Sequence, residues 1–358
     1  MIPALPELSD AGAYAPGLVY SPDDLSAIMQ YGNNLGIETA IEIDMPGHTS
    51  SIWFSHPDLI TSFNTQPYST NCAEPPCGSL KLNSSDVYTF LDTMFDDLFP
   101  RISRYSSYFH SGGDEVNVNA YLLDDTVNSN DTAILQPLMQ KFIDHVHGKI
   151  RSAGLTPIVW EEMPLDWNIT MGNDVLVNCW LSDESVAKTV AKGLKAIVGN
   201  YNNWVRPFIV TIISSTNSIQ YLDCGQGQWI NFSPNVSESF FPYTDYCSPR
   251  KNWRLVYSLD PLAGIPENST HLVVGGEVHL WAEQIDPVNI DKQAWPRAAA
   301  AAEVLWSGAK DPVTGGNRSQ IDAAPRLSEM RERLVARGVG AEPIQMPFCT
   351  QNGTQCYL

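Results

Sequence analysis

In "YFHSGGDEV", residues 108–116, two carboxylates, Asp114 and Glu115, directly follow a glycine pair. Neighbouring side chains at a strand end point to opposite faces, so the two acids aim in different directions and have two jobs. A solvated surface pair needs neither the "FH" in front of it nor Gly112-Gly113, whereas a strand-end site uses glycines to let a ligand come close to the backbone. Acids placed this way can move a proton or steady a developing positive charge.

Other polar and aromatic residues gather in comparable places. "EIDMPGH" carries Asp44 and His48, "VWEE" carries Trp160, "NCW" carries Trp180, "YLDCG" carries Tyr221 and Asp223, and "LWAEQID" carries Trp281 and Glu283. Each follows a short β-prone run, and the candidate strands are 38–43, 108–111, 156–160, 175–180, 196–199 and 272–274. Amphipathic patterns at 22–35, 85–105, 131–153, 184–193, 289–307 and 323–337 read as helices. Strand and helix alternate throughout, which means a parallel sheet, and at this length a (β/α)8 TIM barrel is favoured over a doubly wound sheet. In a barrel the C-terminal strand ends form one rim, and the polar clusters lie at those ends. Tryptophans 160, 180 and 281 at successive strand ends read as apolar walls of a pocket, while Trp306, inside "AAAAAEVLWSG", reads as helix packing.

The 358 residues carry a formal charge of −19, which argues against phosphate backbones and anionic lipid as partners. No apolar run is long enough to cross a bilayer. Eight N-x-S/T sequons stand at Asn83, Asn130, Asn168, Asn231, Asn235, Asn268, Asn317 and Asn352. Six of the seven cysteines fall into pairs close in sequence, Cys72 with Cys77, Cys224 with Cys247 and Cys349 with Cys356, leaving Cys179 buried and alone. Short loops of this kind belong to oxidising compartments. The expectation is a secreted glycoprotein whose leader lies upstream of Met1.

"HSGGDEV" resembles the H-x-G-G-D-E signature of glycoside hydrolase family 20, the β-N-acetylhexosaminidases, and the other five motifs follow in the family's order, with details similar to the secreted fungal branch. The resemblance implies an exo-acting retaining enzyme that removes terminal N-acetylglucosamine or N-acetylgalactosamine, with chitin oligomers or other N-acetylhexosamine-terminated glycans as substrates. In such enzymes the substrate's own 2-acetamido oxygen is the nucleophile. By this resemblance Glu115 is the general acid and then the general base, Asp114 orients the acetamido N–H, and Tyr221 holds the acetamido oxygen. Asp223 and Glu283 would bind sugar hydroxyls, Trp160, Trp180 and Trp281 would wall the pocket, and Asp44, His48 and His110 would support the acid pair. No metal or organic cofactor is implied, and a homodimer is common in the family.

Two departures from the family pattern stand out. The small α/β domain, the first two barrel strands and a sugar-binding arginine find no counterpart here, so residues 1–340 read as a partial catalytic barrel and 341–358 as a disulfide-closed tail. Unpaired strand edges would follow, and an inactive sugar-binding remnant is the alternative reading. The second departure is an apolar insertion at 205–220. It reads as a retained intron, since valine codons begin GT, a glutamine codon can end in AG and Thr216-Asn217 can be written ACTAAC, with a natural loop insertion as the alternative. An ordinary two-carboxylate glycosidase is a third reading, and it requires activity on sugars that lack the acetamido group.

Overall fold

The computed structural model describes residues 1–201, 220–230, 241, 243–351 and 356. The chain divides into two compact units, Met1–Asn178 with Gly193–Lys195, and Cys179–Lys192 with Ala196–Leu358. The proposed insertion at 205–220 lies outside the described residues except for Gln220.

In the first unit, strands β1 (Ile41–Glu42), β2 (Tyr108–His110), β3 (Thr156–Trp160) and β4 (Leu176–Cys179, as far as Asn178) pair in parallel in chain order. Parallel neighbours need long crossovers, and helices supply them. Helix α1 (Pro22–Asn34) precedes β1, α2 (Ser85–Ile102) leads into β2 and α3 (Thr132–Ser152) leads into β3. The start of α1 is set by a capping box between Ser21 and Asp24, with Pro22 at the first helical position. Helix α2 buries Val87, Phe90, Leu91, Met94, Phe95, Leu98, Phe99 and Ile102, one stripe of helical period. Phe95 stacks on Phe99 at 4.6 Å, and Phe99 meets the β2 residue Phe109 at 5.0 Å. Each such fully buried ring contributes about 1.5–3 kcal/mol through apolar burial, which is what seats β2.

The second unit holds α4 (Asp183–Ala191), β5 (Lys195–Val198), β6 (Val273–Gly276), α5 (Arg297–Ser307) and α6 (Gln320–Val335). β5 and β6 are parallel, and a further parallel bridge joins Tyr221 to His279. The helix expected over 289–307 is instead two pieces, Ile290–Ala294 and α5. Pro296 is the cause, because it holds Trp295 in an extended conformation (φ −108°, ψ 140°) and cannot donate a backbone hydrogen bond. Trp306 corrects a second expectation. It is 92% exposed and packs no helix face.

Bonds join Cys72 to Cys77, Cys224 to Cys247 and Cys349 to Cys356, while Cys179 is buried, takes part in no disulfide and has its Sγ 3.5 Å from Thr189 Oγ1. No helix among the described residues is long and apolar enough to cross a membrane.

Candidate active site

The ladder between β1 and β2 runs on past the strand ends. Ile43 N–H donates to the His110 carbonyl at 3.1 Å and Met45 N–H to the Ser111 carbonyl at 3.2 Å, which brings Asp44 against the glycine pair. Gly113 N–H then donates to Asp44 Oδ1 at 2.7 Å. A Cβ at Gly112 would collide with the Asp44 carboxylate, and one at Gly113 would press on Met163. The glycines therefore admit the protein's own side chains rather than a ligand, a correction to the sequence-based reading.

The next residue in the chain is Asp114, whose carboxyl shares a hydrogen bond with that of Asp44. Two carboxyl groups in contact must hold a proton between them. Burial, foremost, and the neighbouring Asp114 charge push Asp44 well above the ordinary carboxylate range, and burial also raises Asp114. The contact with Asp44 and the charge of His48 pull Asp114 back down, whereas the contact with Asp114 pushes Asp44 further up.

Glu115 is the more open of the two acids. Its side chain is 31% exposed against 15% for Asp114, and its Oε2 lies 3.3 Å from His48 Nε2, with Asp114 Oδ2 at 3.7 Å. The hydrogen bond that its Nε2–H donates to Glu115 lifts His48 to a pKa of about 9 against the opposing effect of burial, so the imidazole is charged at neutral pH. Both His48 (φ 51°) and Glu115 (φ 52°) sit in the left-handed region, which costs a non-glycine residue about 1–3 kcal/mol. Thr49 anchors the turn that carries His48, donating its hydroxyl to the Pro46 carbonyl at 3.1 Å and its N–H to the Gly78 carbonyl at 3.2 Å.

Beneath the pair, His110 Nδ1 accepts from Gly112 N–H at 3.0 Å and lies 3.3 Å from Glu42 Oε1. His110 thereby fixes the glycine turn. Its ring is tilted against Trp160 at 4.8 Å, and Trp160 Nε1–H donates to Glu42 at 3.0 Å. Glu42 stands in the quoted "EIDMPGH" but had no role assigned to it from sequence. Burial and the Asp114 charge raise it to about 7. Its visible signal was position, two residues before Asp44 and so on the same face of the strand.

Asp44, His48 and Asp114 each offer one donor atom within 4.8 Å of the others. His48 Nε2 lies 3.7 Å from Asp114 Oδ2, and the carboxyls of Asp44 and Asp114 meet.

The remaining expected residues belong to the second unit. Trp180 and Tyr221 are buried with ring centroids 6.3 Å apart, and Tyr201 contacts both, at 5.3 and 5.7 Å. His279 lies 4.5 Å from Tyr221 and is stacked parallel to Trp281 at 6.1 Å. Asp223 accepts from Trp281 N–H, and burial, with Glu283 adding to it, raises Asp223 to about 7. Tyr201 and His279 escaped sequence reasoning because neither ends a recognisable β-prone run.

Acids that follow the C-terminal ends of parallel strands are what an enzyme of the TIM-barrel class carries there. The family model "Glycosyl hydrolase family 20, catalytic domain" matches residues 1–205 and 209–309. A beta-hexosaminidase of Arthroderma benhamiae is 41% identical over 100% of this chain and 57% of its own length. A chitooligosaccharidolytic beta-N-acetylglucosaminidase of Ostrinia furnacalis is 29% identical over 98% of this chain and 56% of its own. The solved GH20 exo beta-N-acetylglucosaminidase of Vibrio harveyi in complex with N-acetylglucosamine superposes with a TM-score of 0.72 at 21% identity, covering 96% of this chain and 52% of that one. The chain belongs to glycosyl hydrolase family 20, and its fold is of the TIM-barrel class. It spans a little over half the length of the relatives it matches.

Proposed function

We propose that the chain carries the catalytic machinery of a retaining exo-β-N-acetylhexosaminidase, acting on N-acetylglucosamine- or N-acetylgalactosamine-terminated oligosaccharides by substrate-assisted catalysis. The observation that carries this reading is the unequal pair. Asp114 is the more covered of the two and its carboxyl meets that of Asp44, as a fixed acceptor for an acetamido N–H should be, while Glu115 is open and paired with a charged histidine, as a proton-transfer group should be. The acetamido oxygen would attack the anomeric carbon, expelling the leaving oxygen as Glu115 protonates it. Water activated by Glu115 would then open the oxazolinium ion with the configuration retained. Tyr221 would hold the acetamido oxygen, Asp223 and Glu283 the sugar hydroxyls, and Trp160, Trp180 and Trp281 the apolar ring faces. His48 and, through the glycine turn, His110 would keep the two acids in place.

The test is turnover of a nitrophenyl N-acetylglucosaminide compared with the plain nitrophenyl glucoside. Hydrolysis of the first alone is expected. A comparable rate on the glucoside would support an ordinary two-carboxylate mechanism, and binding without turnover would support a sugar-binding remnant.

A role outside the cell is part of the proposal. The five sequon asparagines among the described residues, Asn83, Asn130, Asn168, Asn268 and Asn317, are all exposed, and three disulfides are formed. Both features suit a secreted glycoprotein that degrades chitin-derived oligosaccharides.

The shared proton gives a pH prediction. Asparagine at position 44 can accept from Gly113 N–H and donate to Asp114 as the neutral acid does, so Asp44→Asn should stay within about tenfold of wild-type turnover at neutral pH. Asp44→Ala should fall further. Because burial and Asp114 raise Asp44, the wild type should lose activity as that proton leaves with rising pH. The asparagine variant should lack that decline and fall only as His48 discharges near 9. Equal losses in the asparagine and alanine variants across the pH range would show that Asp44 works as an anion.

A further inference from the structure

Arg297 is 3% exposed at the first position of α5, where a positive charge faces the positive end of the helix dipole. A buried guanidinium normally answers a carboxylate. Among the described residues no carboxylate oxygen lies within ion-pair range of Arg297, and its bonds run to backbone carbonyls. Nη2 donates to Leu222 O at 2.5 Å, to Gln293 O and to Gln293 Oε1 at 3.0 Å, and Nη1 donates to Lys251 O at 2.9 Å. Burial lowers its pKa only to about 10, so it is charged at neutral pH.

The carbonyls it gathers matter by position. Leu222 lies between Tyr221 and Asp223 in the chain, so a hold on its carbonyl fixes the peptide that links the two. Lys251 follows Cys247, the bonded partner of Cys224. Gln293 in turn donates through Nε2 to Gln226 Oε1 at 3.1 Å. One planar fork therefore clamps the 221–226 segment, the far side of its disulfide and the helix before α5. An ammonium group is a point donor and cannot span these carbonyls in the same way.

We infer that Arg297 is a positioning residue for catalysis: its guanidinium fixes the Leu222 peptide and so sets Tyr221 and Asp223 in register for the N-acetylated sugar. This rests on the substrate-assisted reading for the roles of those two residues, and the experiment separates the two claims.

Arg297→Lys and Arg297→Gln are compared with wild type by hydrogen exchange with mass spectrometry and by steady-state turnover of a nitrophenyl N-acetylglucosaminide. Exchange should rise several-fold in the peptides covering 220–227 and 247–252 and stay unchanged in helix Thr132–Ser152. Turnover should fall about 10²-fold, mainly in kcat, as expected for a displacement of about 1 Å. In the Tyr221→Phe background the further loss from Arg297→Lys should shrink to a few-fold, because the two changes act on one element. Unchanged exchange in 220–227 overturns the clamp whether or not the wild type turns over. Raised exchange with losses that simply multiply overturns the link to Tyr221. A wild type without turnover refutes the proposed function, while the exchange comparison still decides the clamp.

Discussion

Glu115→Gln is expected to reduce turnover of substrates with alkoxide-like leaving groups by about 10²–10⁴-fold. The same change should have little effect on the first step for an activated dinitrophenyl leaving group, which needs no proton. Glutamine fills the same space and can still meet His48, so the loss reports proton transfer rather than collapse of the turn. The check is kcat/KM for a chitobiose-type substrate beside that for the dinitrophenyl glycoside. Equal losses on both would mean that residue 115 does not deliver the proton.

Asp114→Asn should cost about 10²–10³-fold in kcat with a much smaller change in KM. On the proposed mechanism, asparagine would lose the full negative charge that steadies the oxazolinium ion and would offer an N–H where the acetamido group needs an acceptor. It can still pack beside Asp44, so the protein should fold and bind sugar. Kinetics together with the inhibition constant of a thiazoline analogue would measure both sides. Mild and equal losses at 114 and 115 would contradict the division of labour between the acids.

Much of the architecture was legible because it rests on short-range signals. The stripe from Val87 to Ile102 and the capping box at Ser21 are properties of adjacent residues, and both fall where the sequence placed helices. Strand alternation does not describe Asp114 and Glu115, because the strand ends at His110, Glu115 has left-handed backbone and both carboxylates reach His48 Nε2. What was not legible depends on contacts between distant segments. Gly112 looks like an opening for a ligand until Asp44, from another strand, is seen to fill the space. Glu42 acquires its role from Trp160 and His110, both far away in sequence. Trp306 sits in an alanine-rich helix that suggests burial, yet its orientation is set by which face of α5 meets the core, and Ala300, Ala301 and Val304 take that face. Arg297 was invisible because backbone carbonyls leave no trace in side-chain sequence.

The left-handed backbone at both His48 and Glu115 limits how this protein can be engineered. Glycine at either position would relax the chain, but it would delete the imidazole or the carboxylate for which the contortion is maintained. Selection for heat resistance should therefore find its gains in other parts of the molecule, and a hardened variant that still carries this tense pair would retain its working chemistry.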